Sequence, residues 1–106
     1  MAQEAIARII ERFKKQLMAM GIHPERFILF GSQAHGDSAY GSDIDLIVIS
    51  KDFAKKDVRE RLELLGIAAA GILEPIEAVG VTPEEWERGE WLFLQEAAKD
   101  SIVFTA

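Results

Sequence analysis

Between Glu4 and Met20 the apolar residues fall at Ile6, Ile9, Ile10, Phe13, Leu17 and Met20. Steps of three and four residues gather them on one side of a helical turn, so the segment predicts an amphipathic helix with Gly21 as its stop. After Pro24 the pattern changes. Arg26-Phe27-Ile28-Leu29-Phe30 is a short apolar run closed by Gly31-Ser32, the profile of a buried strand. Gln33 to Ser42, with Gly36, Asp37, Ser38 and Gly41, reads as a polar loop. A second strand follows from Asp43 to Ile49, and because strand side chains alternate faces, Asp43 and Asp45 project from the same side.

Lys55 to Ala70 predicts a second long helix, with Val58, Leu62, Leu65 and Ala69 as its buried stripe and Gly71 as its end. A third strand spans Pro75 to Val81. Thr82-Pro83-Glu84-Glu85 then offers an N-cap, a proline at the first helical position and acids in the first turn, which announce another helix. That helix continues to Ala98, and Ile102-Val103-Phe104 closes the chain as a short strand. Alternating helices and strands define an α/β fold, a small mixed sheet with helices packed against it. The loop between the first two strands is short for a parallel crossover, so these strands should run antiparallel. Gly31-Ser32 would then lie beside Asp43 and Asp45.

Composition narrows the function classes. A chain of 106 residues supports one core, so residues 1–106 are expected to form a single domain. Twelve Lys and Arg against 18 Asp and Glu give a net charge of −6, which argues against general affinity for nucleic-acid backbones. The absence of cysteine excludes disulfides, zinc–thiolate sites and thiol nucleophiles. Charges interrupt the apolar residues near the N-terminus and no run reaches membrane-spanning length, so the expectation is a cytoplasmic protein without a membrane partner.

Two aspartates one residue apart on a strand repel each other unless a cation lies between them. Magnesium takes one or two carboxylates and fills its other positions with water and phosphate oxygens, so Asp43 and Asp45 suit it. Gly31 lets the backbone approach a ligand, and the Ser32 hydroxyl and surrounding amides can donate to phosphate oxygens. An anion cradle next to a cation site matches a nucleotide triphosphate with bound magnesium. The plainer alternatives are a strand-ending turn at Gly31-Ser32 and solvated acids at Asp43 and Asp45. Ser42 either orients the strand entry or touches nucleotide. His35 is a loop histidine with a smaller claim on phosphate, and His23 before Pro24 reads as turn chemistry. Trp86 and Trp91 read as packing residues, and Lys51, Lys55 and Lys56 as a solvated helix entrance.

Leu29-Phe30-Gly31-Ser32, then ten residues, then Asp43-Ile44-Asp45-Leu46 resembles the fingerprint of the DNA polymerase β-type nucleotidyltransferase superfamily, and the short chain resembles its minimal branch. The resemblance implies a polymerase β-like nucleotidyltransferase core. It also implies a third carboxylate on the following strand, where Glu77 stands in place of the commoner Asp. By that resemblance Glu77 would complete the magnesium site and help deprotonate the attacking hydroxyl; the plainer alternative is an exposed acid on an edge strand. Where many relatives carry arginines after Gly-Ser, this chain has Gln33 and His35. The resemblance further implies transfer of AMP from ATP to a hydroxyl of a partner protein, and a place as the antitoxin of a toxin–antitoxin pair with a HEPN-domain protein. Two alternatives stay open: a weakly catalytic or non-catalytic module that neutralises its partner by docking, and transfer to a small-molecule acceptor. The oligomeric state is not legible.

Overall fold

A computed structural model describes residues 3–31, 43–89, 95–96, 99 and 101–106. In it the expected first helix, α1, runs Gln3–Ala19. Ile6, Ile9, Ile10, Phe13 and Leu17 are buried along one side of it, as their spacing dictates. Gly21 ends the helix in a left-handed turn (φ +85°), with its amide donating to Met18 and the Ile22 amide to Leu17. Strand β1 follows at Arg26–Phe30 and β2 at Ile44–Ile49. The two pair antiparallel, in agreement with the short-loop argument.

The second long helix, α2, occupies Val58–Ile72 and departs from the sequence expectation in three ways. It starts later than Lys55, because Lys51–Phe53 forms a separate 3₁₀ turn capped by Ser50, and Asp57 then caps α2 by accepting from the Glu60 amide. It passes through Gly71 and stops at Leu73, which adopts a left-handed conformation (φ 56°). Its buried side is also rotated: Leu65 and Ala69 face inward, but so do Arg61, Ala68 and Ile72, whereas Val58 and Leu62 are exposed. The cause is Arg61, whose long stem can be buried if its guanidinium finds enough acceptors.

Strand β3 spans Ile76–Val81, helix α3 Pro83–Arg88 and strand β4 Ile102–Thr105. Thr82 and Glu85 form a capping box at the start of α3, and Gly89 ends it with positive φ. Of the helix expected up to Ala98, Gln95 and Glu96 are helical, and residues 90–94, 97 and 98 lie outside the described ones.

The sheet order is β3-β2-β1-β4, with β2 parallel to β3 and β1 antiparallel to both of its neighbours. One face packs on α1 and α2 through Phe27, Leu29, Ile44, Leu46 and Val48. The other gathers Ile28, Ile47, Ile49 and Val81, with Phe30, Val79 and Trp86 packed against them. Trp86 is therefore a packing residue. Both faces of β2 are covered, which is why its residues from Leu46 to Ile49 form an unbroken apolar run. Among the described residues no helix is long and apolar enough to cross a membrane.

Arg61 explains how α2, β3 and α3 are held together. Its guanidinium donates to the carbonyls of Phe53, Gly80 and Lys56 and, at 2.7 Å, to the Glu85 carboxylate. Glu85 also accepts from the Thr82 amide. Burial alone would raise the Glu85 carboxyl, but hydrogen bonds from Arg61 and Thr82 outweigh it and hold Glu85 below its ordinary value. In the same turn that supplies the Phe53 carbonyl, Asp52 accepts from the backbone amide and Nδ1 of His23, and the Ser50 hydroxyl donates to the His23 carbonyl. His23 thus ties the turn before β1 to the segment after β2.

Candidate active site

The sheet register assembles the site. Phe30 pairs with Asp45 across β1 and β2, and Asp45 pairs with Glu77 across β2 and β3. These three residues form one row across the sheet. By strand alternation their side chains share the face with Ile47 and Val79, away from α1 and α2. Asp43 precedes β2 with the same parity as Asp45. Phe30, Asp45, Leu62, Glu77, Ala78 and Val79 line an open cleft of about 450 Å³. The carboxylates thus stand beside an apolar wall at the end of the sheet.

Gly31 follows β1 directly and has φ +74°, a conformation that suits glycine. A Cβ at this position would collide with Oδ2 of Asp45 and come within 3.3 Å of its Cγ. The structure therefore brings Gly31, Asp45 and Glu77 together, with Asp43 next to them. Ser32, Gln33, His35 and Ser42 lie outside the described residues, as does Trp91.

The electrostatics reflect crowding of like charge. Burial raises the Asp45 carboxyl, the charge of Asp43 adds to this, and a hydrogen bond with Glu77 offsets part of it. Glu77 is raised chiefly by the charge of Asp43, then by hydrogen bonding with Asp43, with burial and Asp45 contributing less. Carboxylates this close hold a proton between them or attract a cation. Their donors are hard oxygens only, which fits magnesium or another hard divalent ion. Among the described residues no group of three or more His, Asp or Glu side chains is placed so that it could hold a metal ion by itself. Magnesium does not require such a group, because it keeps water and substrate phosphate among its ligands.

The apolar wall was not anticipated from the sequence, although part of it was accessible there. Phe30 and Val79 are set by the same alternation that aligns Asp45 with Glu77. Helical periodicity places Leu62 in the core, and its exposure follows from the rotation of α2.

A small mixed sheet with its two long helices on one face and carboxylates gathered at a strand end on the other is an arrangement suited to phosphoryl chemistry. The model of the nucleotidyltransferase domain family matches residues 6–102, and the chain belongs to that family. A solved structure of a candidate nucleotidyltransferase from Sulfolobus solfataricus shares the fold, with a TM-score of 0.59 at 22% identity over 98% of this chain and 88% of that one. A toxin–antitoxin structure with AMP-PNP is also similar, with a TM-score of 0.50 and 27% identity. That match covers 66% of this chain and 55% of the other. No curated protein is similar enough to count as a match.

Proposed function

We propose that the chain is a magnesium-dependent nucleotidyltransferase that moves AMP from ATP to a hydroxyl of a partner protein, as the antitoxin of a toxin–antitoxin pair. The observation that carries this reading is the row of Asp45 and Glu77 with Gly31 at its end. Asp43, Asp45 and Glu77 would hold the magnesium, and Gly31, Ser32 and Ser42 would border the nucleotide. When bound, the ion supplies positive charge against the triphosphate. By the motif's resemblance, donors at Gly31 and Ser32 would bind phosphate oxygens and so orient the α-phosphorus. The acceptor oxygen forms a bond to that phosphorus while the bond to the bridging oxygen of pyrophosphate breaks. Glu77 takes the hydroxyl proton, and pyrophosphate leaves.

The similar toxin–antitoxin structure contains AMP-PNP, which supports both an adenine nucleotide and a protein partner for this chain. The motif's resemblance supports a HEPN-domain protein in that role, and ATP as donor fits action in the cytoplasm. One observation favours the docking module as a second reading: the third carboxylate is an exposed glutamate on β3, the last strand of the described sheet.

Incubation with ATP labelled at the α-phosphate, magnesium and the protein encoded beside this gene tests both. Label should pass to the partner, and an Asp43→Asn/Asp45→Asn variant should transfer at least ~100-fold more slowly. Neutralisation of the partner that survives the double substitution, with no label transferred, selects the docking module instead.

A further inference from the structure

Gly21 and Gly31 share one backbone state and differ in what surrounds them. Gly21 has φ +85° and Gly31 φ +74°, so an L side chain is strained at either. Around Gly21 a Cβ would meet nothing within 4 Å, whereas at Gly31 it would strike the Asp45 carboxylate. Conformation alone therefore accounts for the glycine after α1. At the end of β1 there is a second requirement.

We propose that Gly31 is a positioning residue for Asp45: the missing side chain is the space the Asp45 carboxylate occupies beside Glu77. Phe30 is paired with Asp45 across the sheet, so Gly31 stands one residue past the row that holds the carboxylates. The Asp45 side chain leans over the end of β1 and fills the volume a methyl group would take. A methyl at residue 31 requires the end of the Asp45 side chain to shift, and we infer that the shift takes the carboxylate away from its place beside Glu77. The effect of Gly31 is thus on the cation side of the site, in addition to any contact it makes with phosphate. This rests on the magnesium reading above, but its steric part does not.

Two measurements decide it. Thermal unfolding is compared for Gly21→Ala, Gly31→Ala, Asp45→Ala and the Gly31→Ala/Asp45→Ala double variant. Gly21→Ala should lower Tm by roughly 4–8 °C from backbone strain alone. Gly31→Ala should lower it further, and the excess should vanish when Asp45 is already alanine, since the obstructing carboxylate is then gone. Manganese, used as a magnesium substitute, is titrated by electron paramagnetic resonance at a temperature where all variants are folded. Gly31→Ala should bind it at least ~10-fold more weakly than the unaltered chain, and Gly21→Ala should match the unaltered chain. Equal manganese affinity in the two glycine variants, or a penalty at residue 31 that Asp45→Ala leaves unchanged, overturns the inference. Failure of the unaltered chain to bind manganese overturns the magnesium reading instead, and the unfolding cycle still decides the steric coupling.

Discussion

Replacing Arg61 by methionine tests the proposal that one buried cation fastens α2, β3 and α3. Methionine keeps most of the apolar stem, so the loss is confined to the guanidinium and its partners. The Arg61 side chain is 7% exposed and that of Glu85 is 17% exposed, so solvent cannot replace what is removed. The carbonyls of Phe53 and Gly80 lose a donor, and the Glu85 carboxylate stays in place without its counter-charge. Removing one member of a buried pair costs about 3–5 kcal/mol. For a domain of this size each kcal/mol corresponds to roughly 4 °C, so Tm should fall by roughly 12–20 °C. Equilibrium unfolding in urea, followed by circular dichroism, gives the free energy directly.

The pH dependence supplies a second readout. In the unaltered chain Glu85 lies below its ordinary 4.5, so its stabilising contribution is present above that pH and lost as pH falls through the lower folded value. In Arg61→Met the same carboxyl is buried without its partner, and burial pushes it up. The variant then gains stability, relative to the unaltered chain, as pH falls from neutral and Glu85 is protonated. Its deficit should narrow towards pH 4. A loss below about 1 kcal/mol at pH 7, the range of exposed ion pairs, would refute the reasoning, as would a deficit independent of pH.

Two further substitutions probe local packing and backbone conformation. A Cβ at Gly80 would lie 2.8 Å from Cζ of the buried Phe53 ring, so Gly80→Ala should cost about 1–3 kcal/mol in urea unfolding, with part of the loss recovered by a second change, Phe53→Leu. Leu73 is 90% exposed yet holds a left-handed conformation at the end of α2. Leu73→Gly should therefore raise stability by up to about 1 kcal/mol in the same assay, the relief of strain exceeding the added freedom of the unfolded chain.

Much of the architecture follows from local rules that act within a few residues. The apolar spacing from Ile6 to Leu17 needs only helical periodicity, and Thr82-Pro83-Glu84-Glu85 carries its own cap. Asp43 and Asp45 share a side because strands alternate. The antiparallel pairing of β1 and β2 follows from the short connection between them. Together these local rules suffice to make Gly31 and Asp45 neighbours.

Contacts between distant segments were decided by the tertiary structure. Glu77 lies beside Asp45 only because β3 pairs with β2 in one register, and a slip by a single residue would turn its side chain to the helical face. The chain between those strands is a whole helix, so local pattern cannot set that register. Arg61 shows the same limit in the core: periodicity places an arginine outside, but acceptors supplied by Phe53, Gly80 and Glu85 draw it in and rotate Val58 and Leu62 outward. Sequence alone determined which residues carry the charge and which local elements hold them. The fold decided which charges meet, because burial and register depend on partners far along the chain.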